Sequence, residues 1–516
     1  MDSFSLFARP LETVDDLPPT YTALREWEMN LPQHNLDLPF PEGRTGRYVL
    51  FSNSRQYQVG WNNKLNDMCV QLCLYHFIKL LSNETYIYLS TIYLSPCSSA
   101  SFYRLLFHIL TNRLMNTWLA HSSNRAYVFH DFLWTPSHYP WPISSFPRPD
   151  WIPSTPLNAL ISGPSAGGPW EKGDNAPRSI SEAWFDVVCP KLERRIINTR
   201  DVKPQVNWAD GKIIFEKWKR LLLEAPERCI EIVAATMEED PNPETFDINF
   251  WSGPRSVSLW EEFKTSPVSR LLGTSRLVES AINANLRLFV SESNSRHLPP
   301  ATTSVSQGKA NAEDDPFNRV LSIHVRRGDF KEACLEHAAE NSTFYNWNLL
   351  SFLPDKFSPP PPGPGVLPKG KNTPENEVLF LERCLPSAAS ITHKVRSARE
   401  AYLRNAETKA ASSGGPSEGS LKLNRLTRSK TYSQSQRSLD VLYIMSNDRT
   451  EWLNDLKESL RRDGWAHIVT SRDLKFTSEQ KDVGVAIDMD IGRRSAVFIG
   501  NGVSFCFFLS LSSSSH

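Results

Sequence analysis

The chain has no surplus charge of either sign. Its 57 Lys and Arg balance 57 Asp and Glu, so it lacks the electrostatic footprint that usually holds nucleic acid or an anionic membrane. No secretory leader is expected in its first residues, where MDSFSLFARPLETVDDLPPTY has neither a basic flank nor an unbroken apolar run. Long hydrophobic runs are scarce. The most apolar region, Cys69 to Leu110, is interrupted by Asn83, Glu84, Pro96 and Arg104, so no membrane span is expected there. Metal-ligand spacing is absent too, because Cys69 and Cys73 have no matching second pair, which argues against zinc.

What is present points to a packed, punctuated, multidomain chain. Its 516 residues suffice for two or three domains at roughly 100–200 residues each. The 15 Trp and 27 Phe imply dense cores, and the 37 Pro imply many irregular connections. Four cysteines in regular-looking sequence, Cys189, Cys229, Cys334 and Cys384, form an even set compatible with two disulfides and an oxidising compartment.

Residues 1–45 read as a disordered lead. A domain spanning 46–300 follows, opening on the strand Arg47 to Ser52. Next comes Gly60-Trp61-Asn62-Asn63, where a glycine ahead of two amides lets backbone approach a ligand while the side chains donate to an oxygen; an Asn-rich helix cap is the competing reading. Within this domain, 69–113 breaks composition and period, and reads as a retained-intron-like insertion between a loop-to-helix segment and the strand Arg125 to Phe129. His130, Asp131, Trp134, His138, Tyr139 and Trp141 can line an acceptor cleft, with aromatic packing the competing role for most of them. Residues Pro147 to Ala176 are irregular. Amphipathic helices are expected around Trp208–Leu223, Leu259–Leu272 and Ser275–Leu288.

A polar linker, 301–317, precedes a second domain over 318–504. It opens on VLSIHVRRGDF, Val320 to Phe330, an apolar β-branched strand that delivers Arg326, Arg327, Gly328 and Asp329 at its carboxyl end. Open α/β sheets keep their ligands at such ends. Two guanidiniums there suit a pyrophosphate or carboxylate, whose oxygens fill the planar fork bidentately; an exposed Arg-Gly-Asp turn is the plainer alternative. Asn341-Ser342-Thr343 is a glycosylation sequon, as is Asn83-Glu84-Thr85 inside the suspect insertion. The stretches 359–376 and 409–437 are low-complexity and not expected to pack. Strands at Leu439–Met445, Ala466–Thr470 and Ala496–Gly500 then alternate with helices, one opened by a Thr477/Gln480 capping box. That alternation predicts a parallel sheet.

With these residues in view, the chain resembles the GDP-fucose protein O-fucosyltransferase family, in particular its fungal branch. The matching pieces are Gly60 to Asn63, Arg125 to Phe129, Ile323 to Phe330, Cys384 to Pro386, and Ala486 through Asn501, in order. The resemblance implies an α/β, GT-B-like fold of two Rossmann-like domains facing across a cleft, and inverting, metal-independent transfer of fucose from GDP-fucose to a Ser or Thr hydroxyl of a protein. It places Arg326 on the diphosphate with His324 beside it, Asp488 on the guanine and Ser504 near the nucleotide. Gly60, Asn62 and Asn63 come from the first domain, with Arg326 and Asn62 catalytic. Asp488-Met489-Asp490 spells a manganese-type pattern, but its helical position and the resemblance favour base binding, so no metal or other cofactor is expected. The secretory lumen follows from the resemblance, and the pairing Cys189–Cys229 with Cys334–Cys384 is expected among the three ways to join four thiols.

The chain departs from the pattern in two places. Val59 precedes Gly60 where one family branch has a catalytic Glu, leaving Asp131 as a candidate base. After Ser504 the chain runs Phe505-Cys506, so 505–516 reads as an aberrant tail lacking a second Ser and a stacking Phe. These departures leave a nonenzymatic sugar-nucleotide or glycan-binding module as an alternative, alongside a fucosyltransferase directed at glycans.

Overall fold

The computed structural model describes residues 19–54, 112–134, 154–236, 238–251, 254–290, 315–327, 331–339, 341, 349–353, 357–361, 372–413, 438–446, 448 and 450–500. Order begins earlier than the sequence reading placed it. Helix α1 (Tyr21–Met29) is capped by the Thr20 side chain, which accepts from the Ala23 N–H, and it buries Leu24 and Glu28. Leu31 joins the core beyond it, and Gln33 donates to the carbonyls of Gly167 and Ser179 at 3.0 and 2.7 Å. The polar, proline-flanked lead is thus pinned from residue 19 by tertiary contacts that its composition conceals.

The first sheet collects β1 (Tyr48–Phe51), β2 (Ala126–Phe129), β3 (Ile180–Ser181), β4 (Arg195–Asn198) and β5 (Cys229–Val233). All run parallel, in the order β3-β2-β1-β5-β4. The strands β1 and β2 are buried at every position, as a central parallel strand covered on both faces must be. Its helices include residues 112–122 (α2), Glu182–Val188 (α3) and Gly211–Glu224 (α4). Helix α2 starts inside the stretch read as an insertion, since Asn112 and Arg113 belong to it and are buried. The helix expected over Leu259–Leu272 is split into Trp260–Thr265 and Pro267–Arg270, because Pro267 cannot continue a helix but can start one.

Helix α5 (Arg276–Asn285), assigned on sequence to the first domain, packs against helices of the second sheet. Its Ser280 hydroxyl accepts from Gln480 at 3.0 Å, and its Asn285 exchanges two hydrogen bonds with the Lys475 backbone at 2.9 and 2.8 Å. That second sheet is made of β6 (Val320–His324), β7 (Val441–Met445), β8 (His467–Thr470) and β9 (Val497–Gly500), all parallel in the order β8-β7-β6-β9. Helices α6 (Lys331–Ala339), α7 (Pro374–Cys384), α8 (Ala388–Ser413), α9 (Glu451–Arg462), α10 (Ser478–Asp482) and α11 (Gly484–Arg494) accompany it. Two of them begin or end inside stretches read as low-complexity: α7 starts at Pro374 behind its Thr373 cap, and α8 runs on to Ser413. Asn372, just ahead of α7, is buried.

Strand alternation divides the second sheet's side chains between two cores. Leu321, Ile323, Leu442 and Ile444 join Val395 of α8 and Leu453, Leu456 and Leu460 of α9. Val320, Val441, Tyr443 and Met445 turn the other way, toward Ile487 and Ile491 of α11, into a core continuous with Phe51, Trp218 and Phe246 of the first half. The fold is therefore α/β with two parallel sheets joined by one hydrophobic core.

Both expected disulfides are present. Cys189–Cys229 ties the end of α3 to the start of β5, and Cys334–Cys384 ties α6 to α7, with Cα separations of 5.8 and 5.7 Å.

Candidate active site

In the second sheet the chain steps outward from β6 to β7 to β8, then returns to lay β9 on the other side of β6. A strand order that reverses leaves a crevice at the carboxyl ends of the two strands flanking the reversal. β6 ends there on His324, paired in register with Gly500 of β9, and Val325, Arg326 and Arg327 follow. Two of the stretches singled out in the sequence thus contribute neighbouring strands, Val320–His324 and Val497–Gly500.

The period-2 alternation that sorts the core also separates the two arginines. His324 and Arg326 share the face of Ser322, which contacts Ser495 directly after α11. They are 8% and 3% exposed. Burial, together with the Arg326 charge, pushes the His324 imidazole down to about 3, so it is neutral beside a guanidinium. Arg327 points to the opposite face. It lies over the Trp452 ring at 4.0 Å and donates to the Pro386 carbonyl at 2.9 Å. A paired-guanidinium anion site is thereby corrected to a single arginine on the crevice face. Arg327 instead joins β6 to the Cys384-to-Pro386 stretch. Gly328 and Asp329 lie outside the described residues.

Asp488 stands on the same side of the sheet as His324 and Arg326. Tyr443, directly opposite Ser322 in the ladder, donates its hydroxyl to Asp488 Oδ1 at 2.5 Å, and Ser471 donates to Oδ2 at 2.9 Å. Burial raises this carboxyl to about 6, against the opposing pull of the two hydroxyls. Ser471 follows β8, two strands from Arg326 and so roughly 10 Å across the sheet. Tyr443 and Ser471 were missed as site residues on sequence; the available signal was a tyrosine in the otherwise aliphatic Val441–Met445 strand. Asp490, the other half of the Asp-x-Asp pattern, faces away into a cluster. It accepts from Thr274 at 2.7 Å and pairs with Arg493 and Arg494, each at 2.7 Å. The two carboxylates are thus held by different partners. Among the described residues no group of three or more His, Cys, Asp or Glu is placed to hold a metal ion.

In the first sheet the corresponding carboxyl end of β2 leads into His130 and Asp131. Arg113, 2% exposed, holds this turn by donating to the carbonyls of His130 and Asp131, both at 2.5 Å, and to His130 Nδ1 at 3.1 Å. His130 Nδ1 also lies 3.0 Å from the Asp131 carbonyl, so it faces both a donor and an acceptor. The Asp131 carboxylate is bound by Arg25 of α1, which also pairs with Glu28 at 3.0 Å. The same helix reaches the second half through Tyr21, whose hydroxyl donates to Asp482 at 3.0 Å. Trp134 is buried and donates to Thr155 at 2.8 Å, a packing role. His138, Tyr139, Trp141, Gly60, Asn62, Asn63 and Ser504 lie outside the described residues.

Asn341, the first residue of the sequon, is held by two neighbours. Its amide donates to the Pro360 carbonyl at 2.9 Å and accepts from Asn372 at 3.0 Å.

No protein-family model matches the chain, and neither does any curated protein. Solved structures similar to it include POFUT1 in complex with GDP-fucose, at 14% identity over 80% of this chain and 92% of that one, with a TM-score of 0.37. POFUT1 in complex with GDP is similar at 12% identity over 79% and 91%, with a TM-score of 0.36. Likeness of this degree assigns no residue a role.

Proposed function

We propose that the chain is a glycosyltransferase that moves fucose from GDP-fucose to a Ser or Thr hydroxyl of a protein, with inversion and without a divalent ion. The observation that carries this reading is the single face shared by His324, Arg326 and Asp488 at the strand-order reversal of the second sheet. The resemblance of the β6 and β9 stretches to the fucosyltransferase motifs supplies the substrate.

Cleaving a sugar–phosphate bond develops negative charge on the departing diphosphate. Arg326, fixed at a buried strand end, offers a preorganised guanidinium to that charge, an electrostatic donor whose loss typically costs on the order of a hundredfold or more in rate. Neutral His324 adds an N–H without adding charge. Asp488, displaced along the sheet by about the reach of a nucleoside, offers carboxylate oxygens to the N–H groups of guanine. In this reading Asn62, with Gly60 and Asn63, reaches the cleft from the first half, and Ser504 lies near the nucleotide. The two disulfides fit folding in an oxidising lumen, which supports the secretory pathway as the site of action.

A second reading is a GDP-fucose-binding module without turnover. It is favoured by the ion pair between Asp131 and Arg25, because the candidate base is already engaged by a side chain of α1. Calorimetric titration of the full chain with GDP tests both readings at once, and absence of binding overturns them together. GDP release from GDP-fucose, measured with candidate peptides and with glycans, then separates enzyme from module and protein-directed from glycan-directed transfer.

A further inference from the structure

At the other edge of the first sheet, where its strands begin, the surface is hollowed. A cavity of about 270 Å³ is walled by Pro41, Pro169 and Trp170, with Glu42, Asp174 and Arg178 among its polar lining. Glu42 lies ahead of β1, Arg178 ahead of β3, and His121, which backs the cavity, lies in the last turn of α2 ahead of β2. The cavity therefore gathers at the amino ends of three neighbouring strands, opposite the carboxyl ends that lead into Ser52 and His130.

Its polar groups are fixed before any ligand arrives. Arg178 grips the Glu42 carboxylate through Nε and Nη2, both at 2.6 Å, and Glu42 also accepts the Arg178 backbone N–H at 3.2 Å. Asp174 accepts from His121 Nε2 at 2.8 Å and from the Ala176 N–H at 2.9 Å. The Trp170 ring is held by an indole hydrogen bond to the Pro177 carbonyl at 3.1 Å, with the His121 imidazole 4.5 Å away. Asn175, exposed at the rim, adds a free-standing amide to the lining.

These features select a class of ligand. A strong anion meets two carboxylates and a guanidinium already neutralised by one of them. A cation meets carboxylates that are already paired. A purely apolar molecule covers the Asn175 amide without giving it a partner, which is costly. What fits is a neutral, hydroxyl-rich ring with one apolar face. Its C–H groups can lie on the electron-rich indole face, while vicinal hydroxyls bridge the oxygens and N–H groups of planar Asp, Glu, Asn and Arg side chains. The volume is just below the range of about 300–1,000 Å³ that holds drug-sized ligands, which favours a single ring over an extended chain. We propose that this cavity is a saccharide-binding site for one pyranose ring, separate from the crevice of the second sheet. It does not depend on the function proposed above.

The test uses the full chain and free monosaccharides, namely fucose, mannose, glucose and N-acetylglucosamine, observed by saturation-transfer NMR with and without saturating GDP. At least one is expected to bind in the millimolar range and to be indifferent to GDP. Trp170→Ala should weaken it by roughly tenfold, the scale of one lost aromatic contact. Asn175→Ala, at an exposed position where folding is not at stake, should weaken it by about threefold. The proposal is overturned if no monosaccharide gives a signal up to about 50 mM, a limit beyond any specific site. It is equally overturned if GDP displaces the sugar, or if both variants bind as the wild type does.

Discussion

Each half of the molecule buries an arginine at the end of a strand, and the two arginines have different employments. Arg125 precedes β2 and is wholly buried. It donates to the carbonyls of Leu222, Ala225, Glu227 and Arg228 at 2.8–3.3 Å, closing the carboxyl end of α4, where helix carbonyls lack partners. Burial and nearby Arg47 push it down to about 9, so it is still charged at neutral pH. Arg326 follows β6, at the end of the strand where a parallel sheet opens a crevice. Both lie in stretches that resemble fucosyltransferase motifs, Arg125 to Phe129 and Ile323 to Phe330. Resemblance thus marks both residues; the hydrogen bonds of Arg125 place it in the scaffold, and the opposite strand end is where the proposed function puts Arg326 to use.

The comparison is broken most directly by exchanging which arginine is removed. Arg125→Met should cost about 3–5 kcal/mol, because four carbonyls, two at the end of α4 and two in the turn before β5, lose a charged donor, while GDP affinity of the folded protein stays as in the wild type. Arg326→Ala should lower GDP affinity by about a hundredfold or more, the value of a lost bidentate guanidinium contact, with a smaller change in the unfolding midpoint. Calorimetry paired with chemical denaturation checks both. If the two variants give the same pattern, the distinction between strand ends carries no functional meaning here.

The disulfides sharpen the contrast at the next scale. They close loops of 40 and 50 residues, so chain entropy alone values each at about 4 kcal/mol. Their surroundings differ. Cys189 and Cys229 lie in a cluster with Tyr48, Leu50, Ala126 and Val128 of β1 and β2, whereas Cys334 and Cys384 share a small cluster with Ala338 and Phe380. Removing the first pair by Cys189→Ala with Cys229→Ala should lower global stability by about 4 kcal/mol. Removing the second should chiefly open α6 and α7, seen in amide exchange as lost protection there with the β6–β9 amides unchanged.

A smaller effect, about 3 kcal/mol across two pH units, separates the two titratable groups of the crevice. His324 is depressed from 6.5 to about 3, so below pH 6.5 the unfolded chain binds the extra proton and stability falls as pH falls. Asp488 is raised from 3.8 to about 6, so between these values the folded chain binds the extra proton and stability rises as pH falls. The two slopes oppose each other between about pH 4 and 6. Wild-type stability should therefore carry almost no slope from this pair. Asp488→Asn should expose a loss, and His324→Gln a gain, of about 1.4 kcal/mol for each unit of acidification. GDP affinity in the wild type should also fall below about pH 6 as Asp488 protonates. Parallel denaturation curves from pH 4 to 6 decide the matter, and identical slopes in all three proteins would remove the assigned environments.

How much of this was legible beforehand follows from how local each signal is. The strands at Tyr48, Ala126, Val320, Val441, His467 and Val497 declared themselves through β-branched and aromatic runs, and the Thr477 capping box forms as read. Nonlocal facts were hidden. The helix opened by that box stops at Asp482 and a second one begins at Gly484, a break that the capping pattern does not encode. α1 looked like a tail because its anchors, Leu24 to the core and Tyr21 to Asp482, are supplied by distant chain. The partners of Asp488 depend on the register that sets Ser322 opposite Tyr443, which no local pattern encodes. The adjacent arginines were misread as a pair although the period of two, visible in the sequence, already assigns them to opposite faces.

That alternation gives the finest test. Arg327 stacks on Trp452 and caps the Pro386 carbonyl, on the face covered by α9. Its removal should therefore act on stability alone. A partly exposed cation–π contact and one charge-assisted hydrogen bond together suggest about 1–2 kcal/mol for Arg327→Ala. Trp452→Leu should cost somewhat less, because it keeps apolar cover over the same ground and loses only the ring. In a double-mutant cycle the pair should show coupling of about 0.5–1 kcal/mol, while GDP affinity remains within about twofold of the wild type in every variant. A fall in GDP affinity for Arg327→Ala comparable to that for Arg326→Ala would mean that both guanidiniums face the ligand. The single-arginine crevice would then have to give way to the paired site.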